Sequence, residues 1–280
     1  MPVDACRLIR KMRGGAHAHL IEASDGHCYV VKFLNNPQHR RILVNEWIAS
    51  AFLRYLGIAT PEAAVVSVSP AFLTAHPEVY IQLGSRRQEV MAGWHFGSRF
   101  PGDPARLTVY DFLPDTLLEK VENFGEFTAV LAFDKWMGNA DSRQAIFFRA
   151  RLVEPAYEAP DAEPRQGFVA QMIDNGYVFE GPHWRLGDSA AQGLYFRSQV
   201  YAGVQGLAAF EPWLERIRQF PEEVFDSAVR SIPSAWLENE EEALEKLLDG
   251  LLRRRARVAD LIESCRTERS NPFPAWRPER

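Results

Sequence analysis

The sequence predicts an α+β fold in two parts, strands with one main helix followed by a mostly helical region. Three observations carry this: a hairpin signal at Asp25-Gly26, a change to helical period before Gly57, and helical spacing from Asp111 onward. The chain is large enough for it. Its 280 residues are 46% hydrophobic and 25% charged, sufficient to bury a core in one large domain or two packed lobes. A formal charge of -5 provides no global basic field, so neither nucleic acid nor an anionic membrane is expected as a partner. The opening MPVDACRLIRKMRGG lacks the apolar stretch of a signal peptide, and no run nears the roughly 20 apolar residues of a membrane span, so a cytoplasmic location is expected. Cys6, Cys28 and Cys265 are scattered without a CxxC pair, which favours reduced thiols over disulfides or a zinc site.

HAHLIEAS and HCYVVKFL flank Asp25-Gly26, a dipeptide that accepts the positive φ angles of a tight turn, so they read as a β-hairpin. His17 and His19 lie two apart and would share one side of the first strand; no further ligand is spaced to make them a metal site. In NNPQHRRILVNEWIASAFLRYLG the period changes. Asn36 is read as the cap and Pro37 as the first helical residue; Leu43, Trp47, Ala51 and Tyr55 recur four apart, and Gly57 is the stop. AAVVSV, VYIQL and EVMAGWHFG read as further strands, followed by a Gly-, Pro- and Arg-rich loop at residues 98–106.

DTLLEKVENFGEFTAVLAFDKWM carries helical spacing and runs into the loop of GNADSRQAIFFR. AIFFR and GFVAQMI then read as strands around an insertion, EPAYEAPDAEPRQ, expected to be exposed. Residues from about 208 to 266 hold several helical segments whose acidic and basic runs read as solvated faces. The terminal TERSNPFPAWRPER reads as a loose tail or a packed extended arm. A division near residues 97–110 is the simplest organisation.

Along this framework the chemistry-bearing residues fall in an informative order: Gly14-Gly15 before a hairpin, Lys32 on its second strand, Glu46 on the next helix, Asp141 in a loop, and Asp174 after a second hairpin. Phosphoryl transfer needs a cation on the phosphates, carboxylate or amide groups for magnesium, and an acid or base near the attacking oxygen. Each type is present. Taken singly, every one has an ordinary alternative: a turn for the glycines, a snorkelling strand lysine, a solvated helix glutamate, and β-turn aspartates.

MRGGAHAHL, GHCYVVKF, VNEWIASAFLRYLG, GWHFGSR, FDKWMGNADSRQ and MIDNGYVF, in that order over residues 10–265, resemble the HipA-like kinases, a branch of the protein-kinase-like fold related to the phosphatidylinositol kinases. The resemblance implies a two-lobed fold: an N-lobe antiparallel sheet with one main helix (residues 1–100), a mostly helical C-lobe (101–266) and a C-terminal tail (267–280). It also implies ATP and Mg2+ as cofactors and a protein serine or threonine as acceptor, with a nucleotide-binding pseudokinase and a small-molecule or lipid kinase as the alternatives.

For single residues, the resemblance implies that Gly14 and Gly15 approach phosphate through backbone N–H groups, with His17 at the nucleotide mouth. Lys32 pairs with Glu46 and binds phosphate. The segment around Trp94 and Phe96 is a hinge for adenine, both side chains serving equally well as core. Asp141 orients the acceptor hydroxyl, and Asp174 of Asp174-Asn175-Gly176 binds magnesium. The pattern departs from the family after Asp141, where a histidine two residues on and an asparagine five on are replaced by Arg143 and Ile146. Gln144 is then the candidate for the metal-binding amide, and Arg143 for neutralising a phosphate or Asp141. Asn139 is either a turn residue or a polar contributor. Asp134 reads as a structural acid at a helix end, and His183-Trp184 as packing.

Overall fold

The computed structural model describes residues 1–151, 165–267 and 271–277. The insertion EPAYEAPDAEPRQ lies outside them apart from Arg165 and Gln166, as does part of the C-terminal tail. The fold is mixed α/β.

In chain order, β1 (Val3–Lys11), β2 (His19–Ala23) and β3 (Cys28–Lys32) precede α1 (Arg41–Leu56). Then come β4 (Ala63–Val68), α2 (Pro70–Ala75), β5 (Tyr80–Leu83), β6 (Arg86–Glu89) and β7 (Gly93–Arg99). The predicted hairpin forms, with His19 opposite Val31 and Glu22 opposite Cys28. The simple antiparallel sheet is corrected, because five strands close into a barrel in the order β1-β2-β3-β7-β4. Its neighbours are antiparallel except β1 and β4, which seal the ring in parallel at Val3↔Val66 and Asp4↔Ser67. Strand β1 has no clear apolar alternation: Cys6, Arg7, Arg10 and Lys11 are exposed. Backbone pairing on both of its edges makes it a strand.

EVMAGWHFG is not one strand. Strand β6 stops at Glu89, and β7 lies between β3 and β4, with Lys32 opposite Phe96 and Val66 opposite His95. Phe96–Ser98 are paired on both edges, to β3 and to β4, whereas Gly93–His95 pair with β4 alone. Phe96 is buried in the core, whereas Trp94 is 47% exposed and its carbonyl accepts from the Trp236 indole.

Helix α1 begins later than predicted. The Asn36 carboxamide oxygen accepts from the Gln38 N–H within a turn, and helix starts only at Arg41; Gly57 ends it at φ 72° as expected. Its burial runs almost all the way round, including Ile42, Leu43, Ile48, Phe52 and Leu56, while Tyr55 of the predicted stripe is exposed. The cause is contact with β7 on one side and with the helical C-terminal region on others.

The second half contains β8 (Val109–Tyr110), α3 (Asp115–Leu118), α4 (Glu126–Met137), β9 (Gln144–Arg151) and β10 (Gln166–Ile173). Helices α5 (Trp213–Arg218), α6 (Glu222–Arg230), α7 (Ser234–Leu237), α8 (Glu241–Arg254) and α9 (Val258–Ser264) follow. The several helical segments expected over residues 208 to 266 are α5 to α9. One expected solvated residue is corrected: Arg254 is buried, donating to the Lys135, Leu186 and Gly187 carbonyls and pairing with Asp188. The described part of the tail is packed, with Phe273 buried against Tyr201 and Phe210.

Inside the barrel, Phe33 lies edge-on between two buried histidines, His19 and His95, at ring distances of 5.0 and 5.3 Å. His95 Nδ1 accepts the Leu34 N–H at 2.8 Å, which requires that nitrogen to be unprotonated. Burial holds the pKa of each histidine down at about 4. A folded pKa below the unfolded value near 6.5 means that stability is full above pH 6.5 and is lost as pH falls toward 4. His95→Gln, which keeps an acceptor but cannot titrate, is expected to lose about 2–3 kcal/mol less than wild type between pH 7 and pH 4 in urea unfolding. Equal losses in the two proteins would refute a titrating role for His95.

Candidate active site

Two chain reversals create the site. Helix α4 stops at Gly138, φ 60°, and residues 139–143 turn into β9. Strand β10 returns antiparallel with Ile173 opposite Gln144, so Asp174 emerges beside the start of β9, just beyond the loop that carries Asp141. From the barrel side, Lys32 is the last residue of β3 and Glu46 lies on the first turns of α1.

Lys32 Nζ donates to Glu46 Oε1 at 2.5 Å and to Asp174 Oδ1 at 2.7 Å. Lys32 and Glu46 are buried, whereas the Asp174 side chain is 36% exposed. Burial alone would lower the Lys32 pKa, but the Glu46 and Asp174 charges outweigh it and raise the value, keeping the ammonium charged. Reciprocally, the Lys32 charge holds the Asp174 carboxyl below its ordinary range against the opposing effect of burial. Asp174 has φ 58°, a left-handed conformation uncommon for a residue with a side chain. The second carboxylate oxygen, Oδ2, accepts from Gln144 Nε2 at 3.2 Å.

Beneath this layer sits a second ion pair. Arg143, expected at the reacting surface, is fully buried; its guanidinium forms a bidentate pair with Asp134 and donates to the Ile173 carbonyl and Asn175 Oδ1. The role of neutralising a phosphate or Asp141 is therefore corrected to that of a structural cation. Burial would lower its pKa, but Asp134 outweighs burial and raises it. Asn175 Nδ2 reaches Glu46 Oε2 at 3.4 Å, so the polar chain runs from Asp134 through Arg143 and Asn175 to Glu46, Lys32 and Asp174.

Asp134 matches its reading as a structural acid. Asn139 is a turn residue: its amide donates to Asp134 Oδ1 and its oxygen accepts the Asp141 N–H. Gly193 packs on the same acid at φ 73°, where an added Cβ would lie 2.3 Å from the Asp134 Cβ. It also donates to the Asp141 carbonyl, at 3.1 Å. The exposed Asp141 side chain accepts the Ser142 N–H through Oδ1.

The structure thus brings together Lys32, Glu46, Asp174 and Gln144, with Asp141 on the adjoining loop. Gly14 and Gly15 are exposed in the β1–β2 turn, Gly14 at φ 114°. His17 is not on a strand: it occupies that turn at φ 47°, and its carbonyl accepts from His19 Nδ1. Sequence reading missed the Asp134–Arg143 pair, Asn175 as an acceptor, and Gly193. Only the occurrence of Asn175 inside Asp-Asn-Gly offered a signal.

Asp174 offers a carboxylate oxygen, and Gln144, which here turns its Nε2 to that carboxylate, carries an amide oxygen as well; both are hard oxygen ligands of the kind Mg2+ and Mn2+ prefer, beside an ammonium suited to phosphate. Among the described residues no group of three or more His, Cys, Asp or Glu forms a metal cage. A magnesium ion is commonly held by one or two carboxylates and completed by phosphate and water. The residues present fit a metal–nucleotide.

A lysine shared between a helix carboxylate and a loop carboxylate is the polar arrangement of the kinase-type phosphotransferases. The chain belongs to the HipA-like kinase family, whose model matches residues 6–147, just over half of it. The match includes Lys32, Glu46, Asp141 and Gln144 and ends before Asp174. Among solved structures, the chain is similar to the crystal structure of the Golgi casein kinase with Mn/ADP bound, at 10% identity and a TM-score of 0.45, covering 96% of this chain and 74% of that one. No curated protein sequence matches it.

Proposed function

We propose that this protein is a two-lobed kinase that uses ATP and Mg2+ to transfer the γ-phosphate to a hydroxyl, with a protein serine or threonine as the acceptor. The observation that carries the reading is Lys32 held by both Glu46 and Asp174. Residues 1–100 form the N-lobe, 101–266 the C-lobe and 267–280 the tail. Supporting that division, the barrel has its own core around Ile21, Val31, Phe33 and Val66, apart from the larger core built on α4. Helix α1 spans the seam.

Bound Mg–ATP supplies the transferable phosphoryl group and the cation that neutralises its oxygens. Asp174 and Gln144 would hold the metal; Lys32, oriented by Glu46, would bind phosphate oxygens, and the backbone N–H groups around Gly14 and Gly15 would cradle them. Lys32 exchanges its ion pair with Asp174 for phosphate, so no ammonium is left without an anion. Asp141 accepts a hydrogen bond from the acceptor hydroxyl, aligns it, and takes its proton as the oxygen bonds to the γ-phosphorus and the bond to the β–γ bridging oxygen breaks, with ADP as the leaving group.

The test is incubation with γ-labelled ATP, Mg2+ and a cell lysate. Label is expected in the protein fraction, and Asp174→Asn is expected to reduce it by about 10²-fold or more through loss of charge stabilisation. Undiminished labelling by Asp174→Asn would refute the metal assignment. Nucleotide binding without transfer would make the chain a binding module, and label in lipid would move the acceptor to that class.

A further inference from the structure

The Asp174 loop continues into a segment whose backbone does not hold itself. Phe179, Glu180 and Trp184 have φ of 58°, 53° and 50°, a region disfavoured for residues with side chains, and regular helix is interrupted there. One side chain from α1 gathers this segment. The buried Asn45 amide donates to the Gly176 carbonyl at 2.7 Å, the Gly181 carbonyl at 3.0 Å and the Val178 carbonyl at 3.1 Å. Its two N–H donors are shared among three acceptors. Its oxygen accepts the Trp184 indole N–H at 2.9 Å, so both ends of the carboxamide are used and its orientation is set.

Asn45 immediately precedes Glu46, and Gly176 lies two residues after Asp174. These bonds therefore join the helix that orients Lys32 to the loop that presents the metal carboxylate. The contact is close: a Cβ on Gly176 would lie 2.7 Å from Ile42 Cγ2 of α1. One turn earlier, Arg41 stacks over Trp184 at 4.3 Å, donates to the Pro182 carbonyl at 2.7 Å and pairs with Glu240.

We propose that Asn45 is a positioning residue: by fixing residues 176–184 to α1, it holds Asp174 where the metal is bound. The proposal rests on the kinase reading above. A structural role alone would change stability; a positioning role changes how strongly Mg2+ assists nucleotide binding.

The test compares wild type with Asn45→Asp, which nearly keeps the shape but offers the three carbonyls no donor. ADP binding is measured calorimetrically in EDTA and in Mg2+, with hydrogen exchange followed along the chain. Asn45→Asp is expected to raise exchange at residues 176–184 while that of β2 and β3 stays unchanged. It is expected to cut the Mg2+-dependent gain in ADP affinity by about 10- to 100-fold, as loss of a supporting partner to a metal ligand does, with affinity in EDTA retained. An unchanged Mg2+ gain, or exchange raised uniformly across the protein, would overturn the proposal. Wild type that binds no ADP would instead overturn the kinase reading and this role with it. Should Asn45→Asp fail to fold, Trp184→Phe removes only the indole donor; exchange unaltered at residues 176–184 in that variant would equally count against the proposal.

Discussion

Asp141→Asn is expected to lower phosphoryl transfer by about 10²- to 10⁴-fold, the usual contribution of a positioned general base. Stability should change by no more than about 0.5 kcal/mol, because the side chain is exposed and no buried partner loses its charge. Asparagine retains the oxygen that accepts the Ser142 N–H, so the loop keeps that bond. Its backbone is independently fixed by Asn139, by Gly193 and by the Ala140 N–H bond to the Tyr177 carbonyl. A drop in kcat with KM for ATP unchanged, in protein of unchanged melting temperature, would match the proposed role. Full transfer by Asp141→Asn would remove Asp141 from the mechanism. A loss confined to KM would assign it to binding.

Arg143→Met should have the largest effect on folding, a loss of about 3–5 kcal/mol, the range for breaking a buried ion pair from one side. The side chain is fully enclosed, and four of its bonds go to Asp134 Oδ1 and Oδ2, the Ile173 carbonyl and Asn175 Oδ1. Its removal leaves the buried Asp134 carboxylate without its bidentate ion-pair partner, with the Asn139 amide still donating to Oδ1. The pair itself need not be net stabilising, because two desolvated ions repay little more than their desolvation. The double variant Arg143→Met with Asp134→Leu should therefore recover part of the loss, measured by urea unfolding. If Arg143→Met melts like wild type, or if the double variant is as unstable as the sum of the two single ones, the buried-charge account fails. This outcome separates structural support from chemistry, since Arg143 touches the backbone just before Asp174 without reaching the surface.

Much of the polar set was legible in order because the chemistry restricts residue type. Lys32 ends an apolar strand and Glu46 sits on the next helix, both legible locally, but it is the family resemblance that pairs them, and the pair forms. Asp174 follows from the strand before it, and the turn at Gly57 from glycine's tolerance of positive φ. Helix α1 departs from its sequence pattern for one local and one long-range reason. Asn36-Pro37 looked like a helix start, but Asn36 satisfies a local turn and α1 begins at Arg41. Its Leu43–Trp47–Ala51–Tyr55 stripe assumed a single buried face, whereas α1 is enclosed on several sides.

The composition and local patterns of this chain by themselves determined a mixed fold, a lysine-bearing hairpin, a glutamate-bearing helix and two aspartates at strand ends. These depend on near neighbours, through turn chemistry and periodicity. Only tertiary structure decided that β1 and β4 close a barrel, that β7 lies between β3 and β4, and that Arg143 turns inward to Asp134. The same holds for Asn45, an ordinary helix amide in sequence, which meets carbonyls more than a hundred residues away. The physical reason is common to all of them. An ion or hydrogen-bonding group removed from water must find its partner in three dimensions, and no local spacing states which distant group will stand opposite.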